Sequence, residues 1–306
     1  MSEKNASGHA KKSNAGLISI IMASYNYERY LADAVESVTR QGYPHWELLL
    51  ADDGSTDYSW SMIERFAVRD ARIRPLCHPG HANKGLPGTI QLALGQARGE
   101  FVAFLESDDM WRPDCLEKRL ARIQGTGAGL VFNHVELLAM PGALTDGYKI
   151  LVDTPLEEYR GEQGSFSPEK ALLTRNVVPT FSCAMARTDA LLQCDFSSPV
   201  PRWLDWWLWL QMARRERFVY LPKALTIWRI HTASYNNKVS LKRYLHDGKA
   251  MWEGFRRLYR HESGYTKFGL YLRMPFWTRL CARMLAILRA DGLSGLAVRI
   301  KRRLRA

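Results

Sequence analysis

Three clusters of polar residues in this chain have the makings of a site that handles phosphate. They are Ser24-Tyr25-Asn26, Asp52-Asp53 and Glu106-Ser107-Asp108-Asp109, and each stands directly behind a short apolar run. Paired acids such as Glu106 and Asp108 suit a hard divalent cation, which takes carboxylate oxygens and also bridges the oxygens of a diphosphate. A single Asp-Asp-Gly turn would be ordinary loop chemistry. Three clusters behind three successive apolar runs point to one site.

Two common nucleotide-binding devices are missing. No G-x-G-x-x-G follows the first apolar run, and G-x-x-x-x-G-K-[ST] occurs nowhere. That argues against a dinucleotide oxidoreductase and a P-loop ATPase, and leaves a cation as the means of neutralising a phosphate ligand.

The elements that must position these clusters follow from apolar patterning. Residues 17–23 and 46–51 are short apolar runs, which predicts buried strands, and further short strands are expected at 73–77 and 101–105. Helical spacing of Leu31, Val35 and Val38 predicts a helix over 28–41, and further helices are expected over 86–97 and from Pro113 to about Gln124. Strands alternating with helices imply crossover connections and a mainly parallel central sheet flanked by helices. In such sheets ligands bind at the carboxyl ends of the strands, where the three clusters fall. Beyond a strand at 130–132 the pattern loosens. Residues 139–165 read as a loop or lid, 203–215 as a helix, 218–221 and 225–230 as strands, and everything from 240 onward as helical and basic.

Composition narrows the class further. The five cysteines (77, 115, 183, 194 and 281) are scattered, odd in number and form no C-x-x-C pair, as expected of free thiols in a reducing compartment. The polar opening residues contain no apolar leader, and no run approaches the roughly 18–20 apolar residues of a membrane span. A cytoplasmic protein is expected, with a disordered lead over 1–16, a catalytic domain over 17–238 and a basic helical extension over 239–306. The formal net charge is +12, and residues 241–306 alone hold 16 Lys and Arg against 4 Asp and Glu, so the whole excess sits there.

The order Ser-Ile-Ile-Met-Ala-Ser-Tyr-Asn, Asp-Asp-Gly-Ser-Thr-Asp, Asn83-Lys-Gly85 and Phe-Leu-Glu-Ser-Asp-Asp-Met-Trp-Arg-Pro-Asp114 resembles the inverting glycosyltransferases of family two, over residues 17 to about 235. The resemblance implies the GT-A fold and transfer of a sugar from a nucleotide-diphosphate donor, UDP favoured, to an acceptor hydroxyl. It implies that Tyr25 packs on the base and Asp53 hydrogen-bonds it, with Ser24, Asn26 and Asp52 beside them and Lys84 facing the diphosphate. Glu106-Ser107-Asp108 falls on the D-x-D motif, with Asp108 the metal ligand and Glu106 standing where aspartate is commoner. Ile227-Trp-Arg229-Ile-His231 resembles the segment whose histidine completes the metal–diphosphate shell, Mn²⁺ or Mg²⁺ being the cation, and Arg229 is expected at phosphate. Asp205, in Arg202-Trp-Leu-Asp205-Trp-Trp-Leu-Trp, matches the catalytic base, although Leu204 replaces the usual preceding acid. An acid in a helix's first turn is held as carboxylate by the helix dipole, while an apolar tryptophan wall raises its proton affinity. Thr180, Ser182 and Trp206 are expected at the acceptor. Inactive nucleotide-sugar binding and nucleotidyl transfer are the alternative readings.

The basic tail has its own pattern. Trp277, Leu280, Cys281, Met284 and Leu288 share one helical face, with Arg279 and Arg283 opposite, which predicts a basic amphipathic helix. Docking on the anionic inner membrane surface is the expected use, bringing the enzyme to a lipid-linked or cell-surface saccharide. Nucleic acid is not expected, because strand-end acids would repel its phosphates.

Overall fold

The computed structural model describes residues 16–143, 145, 148–149, 151–153, 159, 164–232 and 240–260. The lead over 1–15, about half of the expected lid and everything after 260, including the amphipathic stripe, lie outside the described residues.

An eight-stranded sheet forms the centre, in the order β3-β2-β1-β4-β7-β6-β8-β5. Its strands are β1 (Ile18–Ser24), β2 (Trp46–Asp52), β3 (Ile73–Cys77), β4 (Phe101–Phe104), β5 (Met110–Trp111), β6 (Leu130–Ala139), β7 (Ala184–Arg187) and β8 (Phe218–Ile230). β3, β2, β1 and β4 run parallel, as the alternating pattern requires. β7 then enters antiparallel between β4 and β6, and β5 pairs antiparallel with β8 at the far edge. These reversed strands are four and two residues long, too short to leave a periodic signal. β8 is one strand where two were expected. Asn133 pairs with Leu221 and His134 with Ala224, so Pro222 and Lys223 bulge out of the ladder, and proline has no N–H to give it.

Helices cover both faces. On one lie α1 (Glu28–Thr39), α2 (Ser59–Arg69) and α4 (Cys115–Thr126); on the other lie α3 (Gly85–Leu94), α7 (Leu204–Ala213) and α8 (Leu241–Leu258), with the single-turn helices α5 (Glu169–Leu172) and α6 (Thr188–Leu191) between strands. β1 shows why its sequence is mostly apolar. Ile18, Ile20 and Met22 pack on the first face and Ile21 on the second, and the buried Ser19 is tolerated because its hydroxyl donates to Glu47 at 2.7 Å. α2 has no counterpart among the expected elements: only Ser59 and Ile63 of its residues are buried, and Val68 is 89 % exposed. α8 is not detached from the domain. Met251, Trp252, Phe255 and Tyr259 join the core cluster that contains Trp206, Trp207 and Trp209.

Candidate functional site

Parallel pairing brings the carboxyl ends of β1, β2 and β4 side by side: Ser24 pairs with Asp52, and Asp53 N–H donates to the Ser24 carbonyl at 2.9 Å. The first two clusters therefore build one ledge. Asp52 is fully buried and spends its carboxylate on the turn, accepting from Gly54 N (3.0 Å), Ser55 N (2.8 Å) and Ser55 Oγ (2.5 Å). Gly54 sits at φ +76°, and a Cβ there would lie 2.5 Å from the His81 carbonyl, so only glycine lets the two loops meet. Asn26, at φ 57°, accepts from Thr56 N at 2.8 Å and donates its own N–H to Ser55 Oγ at 2.9 Å. Asp52 and Asn26 are thus the struts of the ledge.

Three other residues on the ledge have different surroundings. Asp53 Oδ1 accepts from Lys84 N (2.7 Å), Gly85 N (3.1 Å) and Thr89 Oγ1 (2.8 Å), which fixes the carboxylate against the start of α3. Lys84 itself is exposed at that helix start. Tyr25 is 46 % exposed, an unusual state for a large ring, and Ser24 Oγ is buried without a hydrogen-bond partner among the described residues. An open ring beside a buried, unsatisfied hydroxyl is the arrangement of a ligand ledge.

The acidic cluster after β4 is held from below. Ser182 Oγ donates to Asp109 Oδ2 (2.5 Å) and accepts from Glu106 N (2.9 Å). The Ser182 carbonyl in turn accepts from Trp111 Nε1 (2.7 Å), the buried Arg119 Nη2 (2.7 Å) and Thr226 Oγ1 (3.1 Å). Thr180 donates its hydroxyl to Glu106 and accepts from Ser182 N. Ser182 is therefore committed to holding the acidic loop, a different task from the acceptor contact expected of it. Trp206 is likewise turned inward: its Nε1 donates to the Leu172 carbonyl at 2.6 Å, and its ring packs on Trp203 and Phe255. Ser107 is also buried.

Arg229 departs from its expected place in the same way. Its Nε donates to the Asp108 carbonyl (2.9 Å), its Nη2 to Asp33 Oδ2 (2.7 Å), its N–H to Asp109 Oδ1 (2.9 Å), and the guanidinium lies over Tyr30. It clamps the loop that carries Asp108, and the sequence offers no sign of this because Asp33 is 196 positions away.

Asp108 and His231 do converge, with Asp108 Oδ2 3.0 Å from His231 Nε2. Tyr27, which sequence reasoning missed, lies beside Asp108 and sets its ring edge-on to His231 at 5.9 Å. Its hydroxyl is pushed far up from the usual tyrosine range by burial, then by the charges of Asp108, Glu106 and Asp109. Glu106 is raised by burial, by Asp108 and by Asp205, against the lowering bond from Thr180. Asp109 is also raised, by burial and by Asp108 and Glu106. Like charges crowded this closely favour a cation.

The fit to a divalent metal can be judged from these donors. A carboxylate and an imidazole face each other, and Mn²⁺ or Mg²⁺ accepts such a pair if the remaining positions go to oxygen ligands. Among the described residues no group of three or more His, Cys, Asp or Glu stands ready to hold a metal. A cation on Asp108 and His231 would need oxygens from the ligand, as expected for a metal that joins protein to diphosphate. The residues fit on those terms.

Asp205 lies in the first turn of α7 and accepts from Asn176 Nδ2 at 2.6 Å. Burial pushes its carboxyl up to about 7, opposed by the Trp206 N–H and by Asn176. It is close enough to Glu106 to raise it. A carboxylate that changes protonation near neutral pH, locked in orientation by one amide, can take a proton from a hydroxyl. Asn176, like Tyr27, carries no motif that would reveal it.

Comparison with known proteins gives the family and the fold. The family profile described as Glycosyl transferase family 2 matches residues 19–192. Among curated relatives, an Escherichia coli UDP-Glc:alpha-D-GlcNAc-diphosphoundecaprenol beta-1,3-glucosyltransferase, WfgD, is 36 % identical over 122 residues, 40 % of this chain and 47 % of that one. The chain spans about half the length of the curated relatives it matches. The fold resembles that of S. aureus TarS 1–349 in complex with UDP, with a TM-score of 0.55 and 17 % identity over 94 % of this chain and 88 % of that one. It also resembles the mannosyltransferase PcManGT from Pyrobaculum calidifontis in complex with GDP-Man and Mn²⁺, with a TM-score of 0.56 and 16 % identity over 93 % and 78 % of the two chains. The expected GT-A architecture is therefore present, and the matched span takes in the ledge and the acidic loop. This chain belongs to glycosyl transferase family 2.

Proposed function

We propose that this glycosyltransferase moves a sugar, with inversion, from a UDP-sugar to a hydroxyl of a lipid-linked or cell-surface saccharide, with Mn²⁺ or Mg²⁺ at the diphosphate. The observation that carries the reading is that two kinds of group stand beside one acidic loop. Asp108 and His231 form a pair suited to a cation, and Asp205, raised to about 7, stands near Glu106 within reach of its charge. The E. coli relative, whose name gives a UDP-glucose donor, a lipid-diphosphate acceptor and a β product, supports the donor, acceptor and stereochemical parts.

In this reading Tyr25 and Asp53 hold the base, while Ser24 Oγ and Lys84 face the ribose–diphosphate side. Asp108 and His231 hold the metal, which when bound offsets the charge that grows on the departing diphosphate. Arg229, Tyr27 and Ser182 keep the acidic loop in register. Asp205, aimed by Asn176, takes the proton of the acceptor hydroxyl as that oxygen attacks the anomeric carbon from the face opposite the leaving group. Thr180 remains the proposed acceptor-side residue through its bond to Glu106. A peripheral position on the inner membrane face belongs to the same proposal and rests on the charge of residues 241–306; among the described residues no helix is long and apolar enough to cross a membrane.

The test is a thermal-shift comparison with UDP, GDP and dTDP, each with Mn²⁺ and with excess chelator. UDP should stabilise the protein only with the metal present. Equal stabilisation in chelator would remove the metal from the reading, and stabilisation by GDP or dTDP alone would reassign the base.

A further inference from the structure

The family match ends at residue 192, yet the turn that leads into Asp205 is gripped by a helix nearly fifty residues further on. Arg202, in the 3₁₀ turn Pro201–Trp203, places Nη2 2.6 Å from Asp247 Oδ2 on α8, and the two side chains are only 4 % and 3 % exposed. Arg202 also lies over the ring of Trp203, and Trp203 meets Tyr244 edge-on at 5.4 Å. Tyr244 and Asp247 are three apart, so one face of α8 holds both residues of the turn. About two turns of helix beyond, Gly254 passes so close to Pro199 and Trp207 that a Cβ would lie 2.5 Å and 3.0 Å from them, and Phe255 stacks parallel on Trp207. Residues 199–207, with Asp205 in their midst, are thus fastened to α8 along its length.

A buried ion pair is a poor means of gaining stability. Removing two charges from water costs about as much as their attraction returns, and well-packed apolar residues often serve as well or better. What an ion pair adds is a fixed register. The structure assigns that task to Arg202 and Asp247: they are positioning residues that set the turn before Asp205 and so aim the base, which makes α8 part of the transfer site. Arg243 Nε and His246 Nδ1, at 3.1 Å and 3.3 Å, also face Asp247 from α8 itself. Asn176 fixes the Asp205 carboxylate from the other side, so the base is held between a loop amide and a helix anchored far along the chain.

This inference rests on the transferase reading, and its test separates the two. UDP release from UDP-glucose is followed with Mn²⁺ and GlcNAc-diphosphoundecaprenol, with UDP-N-acetylglucosamine as a second donor. No release by the full-length protein with either donor would overturn the transferase reading itself. Given release, Asp247→Asn should lower kcat roughly tenfold to a hundredfold, the usual consequence of a misplacement near 1 Å, with KM for the donor nearly unchanged. In the Asp205→Asn background the same substitution should cost almost nothing, because there is no base left to aim. A structural role alone would give additive losses. If Asp247→Asn does not fold, the double variant Arg202→Met/Asp247→Leu removes both charges and leaves neither orphaned. It should melt near the parent temperature, bind UDP and still lose kcat. A folded double variant with parental kcat, or additive losses with Asp205→Asn, would overturn the assignment.

Discussion

His231 Nε2 lies 3.0 Å from Asp108 Oδ2, joining the end of β8 to the loop behind β4 across 123 positions of sequence. If the pair holds the proposed cation, Asp108 and His231 would turn from each other to it, and the metal would supply positive charge at the diphosphate. Tyr27 lies beside Asp108 and sets its ring edge-on to His231, so it touches both members of the pair.

Loss of either ligand should therefore appear in metal binding before it appears in turnover. Asp108→Ala and His231→Ala should each weaken Mn²⁺ binding in the presence of UDP, measured by calorimetry, by about 10–100-fold or more, and Tyr27→Phe by about tenfold. Unchanged Mn²⁺ affinity in Asp108→Ala would take that residue out of the metal site.

Asp205→Asn should reduce transfer by roughly 10²–10⁴-fold while UDP affinity with Mn²⁺ stays intact. Transfer at the parental rate would mean that another carboxylate is the base.

The pH dependence of Asp205 has two opposite signs. Its folded carboxyl is raised to about 7, whereas an unfolded aspartate titrates near 3.9. Transfer needs the carboxylate, so the rate should climb with pH through about 7. The folded state holds the proton more tightly than the unfolded one, so this group's contribution to stability is complete below the unfolded value and lost as pH rises through about 7. Melting temperatures of the metal-free protein and of Asp205→Asn, taken from pH 5 to 8, should diverge in that sense. Parallel curves would show that the carboxyl is not raised.

Ser182→Ala removes a hydroxyl that serves Asp109 and Glu106 at once and leaves Asp109 buried with one partner fewer. Urea denaturation should show a loss of about 1–3 kcal/mol, with weaker Mn²⁺ binding following from the loosened loop. A variant as stable as the parent would show that Ser182 does not hold the loop.

Deleting residues 261–306 should leave UDP binding and the melting transition in place, because the described core closes with α8. Adsorption of the full-length protein to phosphatidylglycerol vesicles should weaken with salt, since screening acts over about 8–10 Å near physiological ionic strength, and should vanish on deletion. A full-length protein that ignores such vesicles at low salt would assign the basic tail to another partner.

Apolar patterning determined the parallel half of the sheet, because a strand buried on both faces must be mostly apolar and β1, β2 and β4 are, with Ser19 and Glu47 hydrogen-bonded to each other inside it. The polar clusters behind them were legible for the same reason: once the strands are parallel, their carboxyl ends share an edge. What each polar residue does there was decided by tertiary structure. Asp52 and Asp53 are adjacent and chemically identical, yet one closes a turn on Ser55 and the other is pinned to α3 by Lys84, Gly85 and Thr89. Ser182, Trp206 and Arg229 have residue types suited to ligands and are spent on Asp109, Leu172 and Asp33. Tyr27, Asn176 and Asp247 carry no motif and became visible only when distant segments met. A hydrogen bond or ion pair depends on where two groups stand in space, and local sequence records only the propensities of each segment.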